Sequence, residues 1–215
     1  MLGECTMLIH KGAEANLYLE QWHNRIVIRK QRVVKKYRLP ELDYRLRYER
    51  TRHEAKLLHL AKRAGVPTPL VYFVDIPNTS LVMQFLSGIK LRDYLMHAND
   101  TKEVEQIFNK VGIFTAKLHK ENIIHGDLTT SNMILYSDTI FFIDFGLGFI
   151  SLDIEDKAVD IRMLKAVLNS THYEIFDITY NSFINGYRSI LKSNADAILT
   201  RLEEVERRGR YISER

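Results

Sequence analysis

The chain is poor in the residues that constrain or anchor a fold covalently. Its 215 residues include one cysteine, Cys5, so no intrachain disulfide can form. It has only 4 prolines and 10 glycines, and no internal repeat or low-complexity tract interrupts it. No apolar run approaches the ~18 residues that a membrane helix needs. The N-terminus lacks the apolar core and cleavage site of a signal peptide. These absences predict a soluble cytoplasmic protein, either one domain or two small lobes sharing a cleft.

Charge is abundant but unevenly placed. From Arg25 to Arg63 there are 14 Lys/Arg against 4 Asp/Glu, and the remainder of the chain is net acidic. A solvated basic helix and strand account for this as readily as a surface for the phosphates of a nucleotide or RNA.

Short β-prone runs open the chain: TMLIH, ANLYLE and RIVIRKQ, broken by KGAEA and QWHN. A helical stretch runs from about Asp43 to Ala64 and stops at GVPTP. LVYFVD and SLVMQFL then read as two more strands around the turn IPNT. These form a small α+β lobe over 1–86, with a boundary near Ser87 and Gly88. Residues 87–215 read as a mostly helical second lobe. In VEQIFNKVGIFTAKLHKEN, Ile107, Phe108, Val111, Phe114 and Leu118 mark one buried helical face. MILY and TIFFID form a hairpin around Ser137 and Asp138. Helices follow over 155–168, 173–191 and 195–207.

The chemistry concentrates in IIHGDLTTSNMILYSDTIFFIDFGLG. Asp127 follows His125 and Gly126, Asn132 lies five residues on, and Asp144 opens an Asp-Phe-Gly turn after the hairpin. Asp-x4-Asn behind a histidine two residues upstream, followed by Asp-Phe-Gly, matches elements of the protein-kinase signature, and aminoglycoside and choline kinases also use His-Gly-Asp with a following Asn. Phosphoryl transfer is mostly positioning and charge neutralisation. Mg2+ takes hard oxygen ligands, usually one or two carboxylates beside phosphates and water. Asp144 and Asn132 suit that role, which leaves Asp127 to hydrogen-bond the attacking hydroxyl or water. Either aspartate alone reads equally well as an ordinary turn residue.

A kinase site also needs a strand lysine on the phosphates, paired with a helix glutamate. Strand alternation puts Lys30 on the face of Ile28 and Ile26 and turns Arg29 toward solvent. Lys35 and Lys36 are rivals, but they fall after the apolar run. Glu54 shares a helical stripe with Leu57, Leu58 and Ala61, whereas Glu49 sits among arginines as a surface partner. Gly12, Ala13, Glu14 and Ala15 stand where a phosphate-covering loop belongs. Glu14 needs a cation to screen it there. Met83, Gln84 and Leu86 fit a hinge whose backbone reads adenine, although a buried edge strand gives the same pattern.

In combination, KGAEANLYL, KQRVVKKYRLP, RTRHEAKLL, GVPTP, HGDLTTSN, DFGLG, EDKAVD and STH resemble the small atypical Ser/Thr kinase of the KEOPS complex, the PRPK family. The resemblance spans nearly the whole chain. It implies an α+β fold of the minimal bilobal protein-kinase-like type, with a five-stranded N-lobe carrying one main helix and a reduced C-lobe. It also implies ATP and Mg2+ as cofactors. The implied partners are the tRNA threonylcarbamoyladenosine transferase subunit and other KEOPS subunits. Separately, Arg45, Arg52, Lys56 and Arg63 are spaced by seven, four and seven along the predicted helix, a basic stripe that suits tRNA contact as well as it suits a solvated face or a docking face for an acidic partner. By motif, Asp127 is the proton acceptor, Lys30 the ATP lysine, and Asn132 and Asp144 the metal ligands. Two departures stand out. Gln84 occupies a position more often acidic in the family, and the tail VERRGRYISER turns mixed in charge after Arg207, Arg208, Gly209 and Arg210.

About ten residues separate Gly146 from the next helix, and no Ala-Pro-Glu follows. That is too short for a peptide-docking platform, so weak Ser/Thr kinase activity alongside ATP hydrolysis is expected. A small-molecule phosphotransferase of the aminoglycoside or choline kinase type is the alternative enzyme. A scaffold that keeps only the kinase shape is the non-enzymatic one.

Overall fold

The computed structural model describes residues 6–213, with side chains through Arg208. Cys5 and the side chain of Arg210 lie outside this range. Three strands come first: β1 (Thr6–Lys11), β2 (Ala15–Trp22) and β3 (Arg25–Arg32). Helix α1 (Pro40–Arg63) follows, then β4 (Val71–Asp75) and β5 (Ser80–Gln84). They build one five-stranded sheet in the order β1-β2-β3-β5-β4, with antiparallel neighbours throughout. α1 begins three residues earlier than its apolar stripe predicts. Pro40 sits in its first turn, where a missing N–H costs nothing.

The second half begins with β6 (Ile89–Lys90), α2 (Leu91–Leu95), α3 (Thr101–Lys120) and β7 (Ile123–Ile124). Next come β8 (Met133–Tyr136), β9 (Thr139–Phe142), β10 (Phe149–Ile150) and the helices α4 (Ile154–Thr171), α5 (Phe176–Leu191) and α6 (Ser193–Ser213). The two-residue strands are too short for any periodicity to reveal. Asp100 starts α3 by accepting from the N–H groups of Lys102 (2.8 Å) and Glu103 (3.3 Å). Gly112 lets α5 cross α3 closely, because a Cβ there would lie 2.0 Å from the Phe183 carbonyl oxygen.

One core runs through both halves. Leu57, Leu58, Leu81 and Met83 join Phe108, Leu118, Phe142, Phe145, Leu164 and Tyr187 in a single buried cluster. Two polar links tie the connection after α1 to the lower half. The Phe142 N–H donates to the Pro67 carbonyl at 2.9 Å, and Lys117 Nζ donates to the Gly65 carbonyl at 3.2 Å. No described helix is long and apolar enough to cross a membrane.

Arg29 corrects the simple alternation argument. It does leave the Lys30 face, but it is buried rather than solvated. Its Nε donates to both oxygens of Glu20 (2.8 and 3.0 Å), and its NH1 reaches Ser80 (3.1 Å) and Asp75 (3.4 Å). Carboxylates on β2 and β4 hold the charged head down.

Candidate active site

The β8–β9 hairpin places the two acidic turns side by side. Met133 pairs with Phe142, and the Ile143 N–H donates to the Asn132 carbonyl at 2.9 Å. Asn132 therefore sits next to the residue preceding Asp144. Asn132 Nδ2 donates to the Asp127 carbonyl (2.9 Å) and to Asp127 Oδ2 (2.7 Å). These two acceptors fix the amide orientation and turn its oxygen away from Asp127.

His125 supports Asp127 from below. Its Nδ1 accepts from the Asp127 N–H at 3.3 Å, so Nε2 carries the proton and donates to the Ile143 carbonyl at 3.1 Å. Burial pushes its pKa below the usual histidine value, against the opposing pull of Asp160, Asp144 and Asp127, so the ring is neutral. Asp160 of α4, the last residue of EDKAVD and given no role from sequence, holds the backbone of this loop. It accepts from the N–H groups of His125 (2.8 Å) and Gly126 (3.0 Å) and from His119 Nε2 (3.3 Å). Burial would raise its pKa, but the hydrogen bonds that it accepts from His119 and from the His125 N–H outweigh that and lower it. Gly126 has φ +77°, and a Cβ there would meet the Leu147 carbonyl oxygen at 2.2 Å. Only glycine fits that turn.

Across the cleft, β3 presents Lys30. Its Nζ donates to Glu54 Oε1 at 2.6 Å and to Asp144 Oδ1 at 2.7 Å. The second oxygen of Glu54 accepts from Arg32 NH2 at 2.5 Å. Arg32 follows Lys30 by two residues and so shares its face, a partner that the sequence reading missed. Burial alone would depress the Lys30 pKa, but Glu54 and Asp144 raise it above the ordinary lysine value. Asp144 behaves oppositely. Burial pushes its carboxyl up, yet the charge and hydrogen bond of Lys30 hold it below the usual range. Asp144 has φ +60° and accepts from the Gly146 N–H at 3.2 Å, while Phe145 points into the core. His53 on α1 contacts the segment that follows, with Nε2 2.9 Å from the Gly148 carbonyl.

Two cavities meet at Lys30 and Asp144. The first, of about 210 Å3, is apolar: Leu17, Ile28, Met83, Leu86, Ile134 and Ile143 line it, and Gln84 and Glu54 also border it. Ile9 joins the lining from β1, although no sequence signal marked it. Ile26 shares the face of Ile28 but is exposed beyond the cavity. The Gln84 N–H is committed to the Leu70 carbonyl at 2.8 Å. The second cavity, of about 330 Å3, is the more polar of the two. Gly12, Ala13, Glu14 and Ala15 cover it, and Lys30, Arg32, Arg50, Asp127 and Asp144 face it. Lys35 lies past the end of β3 and donates to the Ala13 carbonyl at 2.5 Å.

The donor set suits a hard divalent cation that shares substrate oxygens. Asp144 offers a carboxylate with its side chain 48% exposed, and Asn132 offers an amide oxygen directed away from Asp127. No cluster of three or more His, Cys, Asp or Glu capable of holding a metal occurs among the described residues. A single carboxylate and an amide would leave room for phosphate oxygens.

The RIO domain model matches residues 23–151, the span from the turn before β3 to the end of β10. The chain belongs to the RIO-domain family. A Pyrococcus abyssi relative named KEOPS complex subunit Bud32 is 40% identical over 211 residues, covering 95% of this chain and 96% of its own. A Methanothermobacter thermautotrophicus relative is named a probable bifunctional tRNA threonylcarbamoyladenosine biosynthesis protein. It is 42% identical over 204 residues, and the match spans 95% of this chain but 36% of that protein. Among solved structures, the Rio2 kinase-ADP/Mg2+-phosphoaspartate complex from Chaetomium thermophilum aligns with a TM-score of 0.64 at 12% identity, covering 98% of this chain and 71% of that one. WaaP in complex with acyl carrier protein aligns at 0.60 and 13% identity, covering 96% and 89%. These establish the kinase-like α+β fold. The RIO match contains Lys30, Glu54, Asp127, Asn132 and Asp144, whereas the loop from Gly12 to Ala15 precedes it.

Proposed function

We propose that this chain is an ATP- and Mg2+-dependent phosphotransferase and ATPase of the KEOPS complex, supporting threonylcarbamoyladenosine modification of tRNA and phosphorylating Ser/Thr weakly. The observation carrying this reading is the ion-pair chain Glu54–Lys30–Asp144 facing Asp127 and Asn132 across one cleft. Residues 1–86 serve as the covering lobe and 87–215 as the catalytic lobe. Adenine fits the apolar cavity between Ile28, Met83 and Leu86, with hinge backbone groups reading its edge. The phosphates fit the polar cavity beneath Gly12–Ala15, against Lys30. Asp144 and Asn132 would hold Mg2+, which supplies charge neutralisation on the phosphates when bound. Asp127 orients the attacking hydroxyl or water and accepts its proton at Oδ1 or Oδ2.

The names of the relatives support placement in a tRNA-modifying assembly with the transferase subunit. Because the chain spans 36% of the Methanothermobacter relative, the whole activity of that protein belongs to more than this part. The basic stripe supports tRNA contact, since Arg45, Arg52, Lys56 and Arg63 are all exposed along α1. The names of these relatives do not favour small-molecule phosphotransfer. Phosphate release from ATP, measured with and without Mg2+ and with and without the transferase subunit, tests the reading. Mg2+-dependent release enhanced by the subunit is expected. No release under any of these conditions overturns it.

A further inference from the structure

The polar cavity holds three cations, and their engagements differ. Lys30 and Arg32 are both committed to Glu54, which is buried, and Lys30 also to Asp144. Arg50, on α1 four residues before Glu54, has an exposed partner instead. Its NH1 donates at 2.8 Å to Oε2 of Glu14, at the tip of the β1–β2 connection. The Glu14 side chain is 52% exposed, and that of Arg50 36%. Lys35 Nζ lies 3.5 Å from the other Glu14 oxygen.

The backbone of this tip is fixed independently of the side chain. Val33 N–H donates to the Glu14 carbonyl at 3.0 Å, and Gly12 N–H donates to the Ala15 carbonyl at 3.1 Å. Glu14 can therefore rotate into water without unfolding the loop. A phosphate chain entering the cavity would meet the Glu14 carboxylate as a like charge. The same phosphates offer the guanidinium the geometry that it binds best, two oxygens against a planar fork.

We propose that Arg50 binds the terminal phosphate of a nucleoside triphosphate, and that Glu14 holds Arg50 in reserve until that phosphate displaces it. Arg50 thereby distinguishes tri- from diphosphate. The inference rests on the nucleotide reading above.

Calorimetric titration of ADP and of a non-hydrolysable ATP analogue, each with Mg2+, tests it on the wild type, Arg50→Gln, Glu14→Gln and the double variant. Arg50→Gln should weaken the analogue about tenfold or more, as expected when a charge-assisted hydrogen bond is removed, and leave ADP within about twofold. Glu14→Gln should tighten the analogue severalfold, and that gain should vanish when Arg50 is also replaced. Equal effects of Arg50→Gln on both nucleotides overturn the proposal while leaving the nucleotide reading intact. So does a Glu14→Gln gain that persists without Arg50. A correctly folded wild type that binds neither nucleotide removes the nucleotide reading, and the assignment of Arg50 with it.

Discussion

One amide nitrogen of Asn132 holds Asp127 at two points, its carbonyl at 2.9 Å and its carboxylate at 2.7 Å. Asn132→Asp should therefore be worse than Asn132→Ala for turnover. It sets a carboxylate against a carboxylate and turns a donor into an acceptor. A drop of about 10²-fold or more is expected for the aspartate. Steady-state phosphate release measures it, and equal rates for the two variants would show that the amide does not position Asp127.

Lys30→Ala should reduce turnover by about 10²-fold or more, the scale of removing one preorganised electrostatic donor. Lys35→Ala should cost much less, because Lys35 reaches the Ala13 carbonyl and Glu14 rather than the cleft interior. A larger drop at Lys35 would move the phosphate lysine off β3.

Asp160 makes a stability prediction with a defined pH window. Its folded pKa lies below the ordinary carboxylate value of about 4. Its contribution is therefore fully present above that value and is lost as pH falls through the folded pKa. Asp160→Asn should lower stability at neutral pH by about 2–4 kcal/mol, since buried N–H donors lose a charged acceptor. The variant should also lose part of the acid-induced decline. Denaturant melts at pH 7 and pH 3 check both. An equal penalty at the two pH values would contradict the ionised role.

Gly126→Ala should destabilise the fold and weaken turnover together. The left-handed backbone and the 2.2 Å approach of the Leu147 carbonyl leave no place for a methyl group. A loss of about 2 kcal/mol or more is expected from strain of this kind. An alanine variant with wild-type melting would mean that the loop relaxes freely.

Reversing Arg45, Arg52 and Lys56 to Glu should flatten the salt dependence of tRNA binding by the assembled complex. Each phosphate that the protein ceases to neutralise removes about one unit from the logarithmic slope. The intrinsic ATPase rate should stay unchanged, because these side chains line neither cavity of the cleft. An unaltered slope would assign the stripe to solvent or to a protein partner.

Local pattern revealed the elements whose geometry is itself local. Asp127, Asn132 and Asp144 were legible because a short hairpin joins them. Lys30 and Glu54 were legible because strand alternation and a helical stripe each point one way. What escaped depends on distant partners. Burial of Arg29 follows from Glu20 and Asp75 on other strands, and Asp160 reaches the backbone of His125 and Gly126 from 35 and 34 residues away. Arg32 was the avoidable miss, since the alternation that selects Lys30 selects it too.

The contacts along α1 bear on how this molecule can be regulated. His53 grips the Gly148 carbonyl, and the turn after the helix is bonded to Lys117 and Phe142 in the lower half. A swinging helix, the common off-switch in larger kinases, would have to break all of these bridges at once. The helix that carries Glu54 is thus tied to the lower half on both sides of the Lys30–Glu54 pair. On the nucleotide reading proposed above, this leaves control to what enters the cleft rather than to assembly of its parts.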